Sequence, residues 1–130
     1  MWISEKEYNK IMWIKPKNKY WAVRTNRNWI IFDSKAEADR YSDLQILEQS
    51  GYIKNLVLQP SFTLLEGFKR KDTWEKIWAL KYRADFQYEQ DWMIIVEDVK
   101  WKLTEVYKIK KKLFLAKYSD KYFFKETYKW

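Results

Sequence analysis

Residues 92–100, with the sequence WMIIVEDVK, decide the fold. Their β-branched and other apolar side chains predict a strand in the interior of a sheet. Successive side chains of a strand point to opposite faces, so Asp98 and Lys100 share one face while Glu97 lies on the other. We expect Glu97 to be solvent-exposed or salt-bridged, which leaves Asp98 and Lys100 as the better candidates for chemistry.

The two preceding strands are predicted to form a meander with this one. Residues 55–68 have strand character, with Pro60 indicating a bulge or an edge, and residues 77–88 return after a polar turn. Asp85 lies inside the otherwise apolar second strand. If that strand pairs with the next one as a hairpin, Asp85 can lie beside Asp98 on the same face. The sequence leaves the register open, and a lone strand Asp would more often cap a turn or pair with a neighbouring cation, here Arg83 or Lys81.

A helix is predicted before and after the meander. Ser34 and Glu37 have the spacing of a capping box, apolar residues recur at helical steps over residues 34–50, and Gly51 stands where a left-handed C-terminal residue is expected. The second helix opens at Thr104. Its apolar stripe is predicted to consist of Val106, Ile109, Leu113 and Ala116.

A last strand over residues 122–128 completes the order helix, three strands, helix, strand. We therefore predict an α/β fold with a mixed sheet flanked by helices. The chain is interpreted as one domain, 1–130, with its core at residues 33–128. Residues 1–32 are predicted to be a basic, aromatic extension or a hairpin. The strands of that hairpin would be residues 21–24 and 29–32.

The missing residue types exclude several kinds of chemistry. The chain has no Cys and no His, which removes disulfides, thiol nucleophiles, Cys/His zinc sites and a histidine general base. Any metal must then be held by oxygen ligands, which suits Mg²⁺ or Mn²⁺. Neither a membrane-spanning run nor a signal peptide is recognisable, so we expect a cytoplasmic protein.

The net charge of +8 is unevenly distributed. Residues 1–29 hold seven Lys and Arg against two acids, residues 30–99 hold nine against thirteen, and residues 100–130 hold ten against three. An acidic centre between basic flanks fits an enzyme that acts on a polyanion, with metal at the centre and phosphates at the flanks. A basic protein with solvated lysines has the same pattern, so charge alone does not decide.

Carboxylates at positions 85 and 98 would repel each other in the predicted hairpin. Two unit charges about 4 Å apart cost roughly 4 kcal/mol at an effective dielectric of about 20, and Lys100 neutralises only one of them. A divalent cation resolves the conflict, lowers the pKa of a bound water and stabilises charge on a scissile phosphate. Lys100 would orient the attacking water or meet the developing charge. Glu37 can join this site only if its helix packs across the same end of the sheet.

These residues stand in the order found in a known superfamily. Glu37 on a helix, Asp85 in a strand and the Asp98-x-Lys100 motif in the next strand resemble the PD-(D/E)XK, or restriction-endonuclease-like, nucleases. A closer similarity is to a group of small, mostly phage-encoded proteins of uncharacterised function within that superfamily, over about residues 20–128. Four segments carry it: FDSKAEA at 32–38, LQPSF at 58–62, YRADF at 82–86 and VEDVK at 96–100.

Two positions depart from that pattern. Ala84 precedes Asp85 where the superfamily name has Pro, which is a common departure. Trp101 follows Lys100 where relatives often have a small residue, and a Trp there would narrow access to the site or stack on a base.

The resemblance implies a metal-dependent DNA endonuclease, with branched or recombination intermediates as the expected substrates by analogy with resolvases. It makes Asp85 and Asp98 ligands of Mg²⁺ or Mn²⁺, Glu37 an additional ligand, and Lys100 the catalytic lysine. Glu37 would otherwise be only the capping partner of its own helix.

The resemblance also suggests how DNA is bound. Tyr107-x-x-Lys110 fits the place of a Lys or Gln that such nucleases carry on the second helix, although helix lysines are usually a solvated face. The candidates for DNA contact are Lys108, Lys110, Lys111 and Lys112. A homodimer is expected, since many relatives cut two strands as dimers. The alternative is a non-catalytic nucleic-acid-binding or replication and recombination accessory protein that has kept the fold.

Overall fold

The computed structural model describes three parts of the chain, residues 25–27, 30–100 and 102–128. Its internal contacts divide the chain into two compact units, Met1–Asp39 and Arg40–Trp130. Within the described residues, neither helix has the length and apolar character that crossing a membrane requires.

The first unit contains a short antiparallel hairpin. Strand β1 (Thr25–Arg27) pairs with β2 (Ile30–Phe32) in the register Thr25 opposite Phe32. The second predicted strand, at 29–32, overlaps β2, whereas β1 covers residues that were expected to be the turn. Only two residues separate the strands, the connection length that hairpins favour most. The predicted strand at 21–24 lies outside the described residues.

Helix α1 spans Lys35–Gln49, as the capping and periodicity signals predicted. The Glu37 backbone N–H donates to the Ser34 hydroxyl at 3.1 Å, which satisfies one of the free donors at the helix start. Gly51 has a φ of +82°, the left-handed conformation expected after a helix end.

The remaining elements follow in a fixed order. They are β3 (Lys54–Leu58), β4 (Ser61–Leu65), β5 (Phe68–Lys69), β6 (Lys76–Ile77), β7 (Leu80–Arg83), β8 (Phe86–Gln90), β9 (Met93–Lys100), α2 (Glu105–Tyr118) and β10 (Phe123–Tyr128). A four-stranded sheet has the order β10-β9-β8-β3, with β10 parallel to β9 and the other pairs antiparallel. The fold is therefore mixed α/β, with a mixed sheet.

The predicted meander is present, but its first two strands are each broken. β4 pairs with β7 and β5 with β6 as separate two-stranded ladders. One pair of breaks lies at residues 66–67 and 78–79. The other lies at Gln59-Pro60 and at Ala84-Asp85, where Gln59 N–H donates to the Asp85 carbonyl at 2.9 Å and Ala84 N–H donates to the Pro60 carbonyl at 3.0 Å. Proline cannot donate to a ladder, which explains the break at Gln59-Pro60. Asp85 therefore lies at a bend between strands and not inside a strand, contrary to expectation.

The two helices lie on opposite faces of the four-stranded sheet. On one face, the Tyr41 ring of α1 stacks against Phe86 of β8, with 6.4 Å between ring centroids. On the other face, Tyr107 and Phe114 of α2 pack with Val96 of β9 in a cluster rich in aromatic rings. Since side chains alternate along β9, residues 97 and 98 meet different helices.

The apolar stripe predicted for α2 is wrong. Val106, Ile109 and Leu113 are exposed, and the buried residues of the helix are Tyr107 and Phe114. The helix therefore turns a different face to the sheet. Aromatic side chains bury more area than aliphatic ones, so the stripe with the larger rings is the one that enters the core.

Substitutions in α2 test which of its faces is buried. Phe114 contacts the rings of Phe62 and Tyr82 at centroid distances of 5.0 and 5.5 Å, so Phe114→Ala is expected to lower the free energy of unfolding by about 3–5 kcal/mol. The adjacent Leu113→Ala is the control and should change it by less than about 1 kcal/mol. Urea denaturation measures both values. A larger loss in the Leu113 variant would contradict the helix orientation.

Candidate functional site

Asp98 and Lys100 occupy one face of β9, as the alternation predicted. Asp98 is 2% exposed, and its Oδ1 lies 2.8 Å from the Lys100 amine. The Tyr82 hydroxyl donates to Oδ2 of the same carboxylate. Burial, together with the charge of Asp98, raises the pKa of Tyr82 well above its usual range, so the phenol stays protonated and acts as a donor.

Asp85 is placed next to Asp98 by the pairing of β8 with β9. Phe86 lies opposite Glu97, and the backbone N–H of Asp85 donates to the Glu97 carbonyl at 3.1 Å. The Asp85 carboxylate accepts a hydrogen bond from the Val99 N–H at 2.6 Å. At the bend, this side chain therefore accepts a bond that a backbone carbonyl would accept in a regular ladder. The charge of Asp85 also contributes to raising the pKa of Tyr82, after burial and the larger effect of Asp98.

A second carboxylate network lies beside Asp98. Because β10 runs parallel to β9, Glu126 is the register partner of Asp98. Glu126 accepts the Tyr107 hydroxyl at 2.7 Å and a hydrogen bond from the Lys111 amine. The Lys100 amine lies 3.9 Å from the centre of the Tyr107 ring, which joins the two networks. The face thus holds three carboxylates, two amines and two tyrosines.

The titration of the second network follows from burial and hydrogen bonding. Burial, followed by the bond to Glu126, raises the pKa of Tyr107, which keeps its hydroxyl protonated. Burial alone would raise the pKa of Glu126, but the bonds from Lys111 and Tyr107 outweigh it and hold that pKa below its usual range. Glu126 is therefore ionised at neutral pH.

The sequence interpretation did not include Tyr82, Tyr107 or Glu126 in the site. The signal for Glu126 was available only in part, because the last strand was predicted but its parallel pairing with residues 92–100 was not. Tyr82 lies two residues before Ala84 on a predicted strand. Strand alternation puts both side chains on the same face, which suggests a core position for Tyr82. Tyr107 was noted only as a marker for Lys110.

Glu97 lies on the opposite face and is fully buried. The side chains that hydrogen-bond to it come from α1 and from the two neighbouring strands, β8 and β10. The Arg40 guanidinium donates to it at 2.6 and 3.0 Å, the Tyr88 hydroxyl at 2.6 Å and the Thr127 hydroxyl at 3.0 Å. Burial alone would raise its pKa, but the hydrogen bonds from Arg40 and Tyr88 hold the pKa below its usual range. The salt-bridged alternative for Glu97 is confirmed, and the exposed one is wrong.

Two further residues were singled out from the sequence, Glu37 and Trp101. Glu37 is buried in the first turn of α1 and belongs to the first compact unit, whereas Asp85 and Asp98 belong to the second. Trp101 lies outside the described residues. Of the four lysines predicted to contact DNA, only Lys111 reaches the carboxylate networks.

The other three of these lysines differ in their surroundings. Lys108 is exposed and pairs with Glu105 at 3.2 Å, one turn earlier on the same helix. Lys110 is half-buried and Lys112 is exposed.

The donors at positions 85 and 98 fit a hard divalent cation in their chemistry. Carboxylate oxygens are the ligands that Mg²⁺ and Mn²⁺ prefer, and an ionised carboxylate offers about four acceptor positions. Asp98 uses two of them for Lys100 and Tyr82. The part of the chain that the structure describes contains no group of three or more acidic residues close enough to hold one ion. Two carboxylates and bound water would therefore make up the coordination.

Comparison with known proteins identifies a family. Residues 17–129 match the model of the family described as "Protein of unknown function (DUF1064)". The chain belongs to this family. The match spans β1 to β10 and includes every candidate residue at positions 37, 85, 98 and 100. No curated protein and no solved structure matches the chain.

The lowered pKa of Glu97 predicts a pH-dependent contribution to stability. A carboxyl with a depressed folded-state pKa stabilises the fold above its unfolded pKa of about 4.3, and that stability is lost as the pH falls through the folded value. Urea titrations between about pH 5 and pH 2 should show a steeper loss for the wild type than for Glu97→Gln.

Two comparisons isolate the Glu97 effect. At neutral pH, Glu97→Gln is expected to cost about 3–5 kcal/mol, because it leaves the Arg40 charge in a partly buried position without its anion. The exposed Glu66→Gln variant should keep the wild-type pH profile. Identical profiles in all three proteins would rule out the stabilising role of the Glu97 anion.

Proposed function

We propose that this protein is a metal-dependent DNA endonuclease of the restriction-endonuclease-like type. The observation that carries the proposal is the Asp98–Lys100 pair on one face of β9, with Asp85 brought beside it by the pairing of β8 and β9. Two carboxylates, one at the bend before β8 and one on β9, together with a lysine, are suited to metal-assisted phosphodiester hydrolysis in a chain without histidine.

Each residue has a defined part in this proposal. Asp85 and Asp98 would hold Mg²⁺ or Mn²⁺, which supplies Lewis acidity and a water of lowered pKa. The Lys100 amine lies 2.8 Å from Asp98 and would orient the attacking water or meet the charge that develops on the phosphate. Tyr82, kept protonated, fixes the Asp98 carboxylate by its hydrogen bond.

The substrate side of the proposal rests on charge. DNA would be held through phosphate contacts by exposed lysines of α2, including Lys108 and Lys112, with Lys110 and Lys111 nearer the sheet. Branched or recombination intermediates are the proposed class of DNA, and a homodimer would allow both strands to be cut.

A second function is favoured by a specific observation. Both oxygens of Asp98 accept bonds from the protein itself, and no three-acid group forms among the described residues. A nucleic-acid-binding or replication and recombination accessory protein with this fold would have a face of this kind, on which the carboxylate oxygens are already bonded within the protein. It would bind with a steep salt dependence and would not cleave.

Loss of a metal ligand should abolish cleavage. Asp98→Asn keeps the shape of the side chain but removes its charge. We expect the rate of cleavage of branched DNA with Mg²⁺ or Mn²⁺ to fall by more than about 100-fold. That is the largest loss usually seen when a residue that only hydrogen-bonds to a metal ligand is replaced. Asp120→Asn, an exposed acid after α2, is the control and should cut like the wild type. Equal rates in both variants, or no cleavage by the wild type with either metal, would refute the endonuclease proposal.

Metal binding can be measured without any substrate. At a Mn²⁺ concentration of 100 times the dissociation constant, the wild type should gain about 2.7 kcal/mol in stability by mass action. Asp85→Asn should show no such gain, since its amide retains a carbonyl for Val99 but loses the charge that attracts the ion. Thermal unfolding with and without Mn²⁺ gives both values. A gain of equal size in the variant would place the ion elsewhere.

A further inference from the structure

A two-stranded hairpin projects large aromatic side chains into solvent. This hairpin arm comprises residues 66–79, with β5 and β6 joined by a turn at residues 70–75. Trp74 is 75% exposed, Trp78 is 73% exposed and Phe68 is 51% exposed. Clustered exposed aromatics on a protein of this size mark an interaction site. The sequence interpretation treated residues 70–76 as a polar turn between two strands and gave them no function.

The turn of the arm is held by its own hydrogen bonds. Arg70 N–H donates to the Glu75 carbonyl at 2.9 Å, and Trp74 N–H donates to the Arg70 carbonyl at 3.0 Å. The Arg70 guanidinium also donates to Asp72 at 3.0 Å and to Glu75 at 3.2 Å. Trp74 has a φ of +62°, a strained conformation for a bulky residue. The exposure of Trp74 is thus built into an ordered turn.

Two lysines face each other across the arm. Lys69 and Lys76 are register partners, so their side chains share one face, and both are exposed. Like charges directly opposite on a ladder are destabilising, and neither amine forms an ion pair within the described residues. An anionic ligand would relieve this repulsion. The Lys76 amine also lies 4.0 Å from the centre of the Trp78 ring, which puts charge and aromatic surface side by side.

The arm also lines an open cleft. Its volume is about 360 Å³, at the lower end of the roughly 300–1,000 Å³ found for small-molecule sites. The lining includes Gly67, Lys69, Lys76 and Trp78. A Cβ at Gly67 would lie 3.2 Å from the Ala79 nitrogen and the Ile77 carbonyl, so glycine is what allows the two chain segments to approach here. The cleft is of a size to receive a flat ring.

We propose that the hairpin arm binds single-stranded nucleic acid, with a base stacked on Trp78 and a phosphate held between Lys69 and Lys76. Unpaired bases expose the faces that exposed tryptophans stack on, whereas duplex bases do not. A second copy of the chain is a poorer occupant, because it would bring two lysine pairs together. The role of the arm in substrate choice rests on the proposed nuclease function. If the protein is such a nuclease, the arm makes DNA with an unpaired segment its substrate class.

Binding in EDTA tests the arm separately from cleavage. The affinity for a labelled oligothymidylate, measured by fluorescence anisotropy, should fall roughly 5- to 150-fold in Trp78→Ala, the effect of losing one stacked base. Trp78→Phe should retain most of the binding. Trp92→Ala is the control, because Trp92 is also an exposed tryptophan but is not part of the arm. It should bind like the wild type.

The phosphate contact has its own signature. Lys76→Gln should reduce the slope of the logarithm of affinity against the logarithm of salt concentration by about 0.7, the value for one phosphate on a single strand. Three results would overturn the proposal. They are equal weakening of oligothymidylate binding by Trp78→Ala and Trp92→Ala, unchanged oligothymidylate binding in Trp78→Ala, and a loss of duplex DNA binding in Trp78→Ala as large as its loss of oligothymidylate binding.

The arm and the nuclease centre fail in different assays. Trp78-dependent binding by a protein that never cleaves would refute the nuclease proposal and support the arm. If cleavage depends on Asp98 but Trp78→Ala leaves the affinity for oligothymidylate unchanged, the nuclease proposal is supported and the arm proposal is refuted.

Discussion

Two adjacent acids on the central strand must be buried on opposite faces of the sheet, and the surrounding structure supplies each with its own partners. A buried carboxylate costs several kcal/mol unless it is paired and hydrogen-bonded. Glu97 receives Arg40 from α1, Tyr88 from β8 and Thr127 from β10. Asp98 receives Lys100 from its own strand and Tyr82 from β7. The bonds to Glu97 therefore fix α1 to the sheet, while those to Asp98 fix β7.

Tyrosine has a specific use on the Asp98 face. Its hydroxyl donates to a carboxylate without adding charge, and burial beside acids keeps it protonated. Asp98 and Glu126 each have one tyrosine and one lysine as partners. With Asp85 included, carboxylates outnumber amines on this face by one. A face with excess negative charge and fixed acceptors favours a cation over an anion.

The sequence predicted the elements better than their packing. Helix α1, its Ser34 cap and Gly51 were predicted because local hydrogen bonds and backbone geometry decide them. The common face of Asp98 and Lys100 followed from strand alternation alone. The face of α2 was mispredicted because two stripes compete there, and only the sheet distinguishes them: Tyr107 has Glu126 as its partner, which no local pattern reveals. The bend at Asp85 was missed for the same reason, since its carbonyl accepts the N–H of Gln59, at the break between β3 and β4.

The two buried acids differ in how easily they can change partners. The main partner of Glu97 is an arginine on a helix, and releasing it would break two hydrogen bonds and leave a mostly buried guanidinium without its anion. The ion-pair partner of Asp98 is two residues away on the same strand, and Lys100 has a flexible four-carbon side chain that can swing without disturbing the sheet. A carboxylate has about four acceptor positions, so Asp98 can also take a further ligand while it keeps Tyr82. Of the two, Asp98 is thus the acid that can exchange its ion-pair partner more easily.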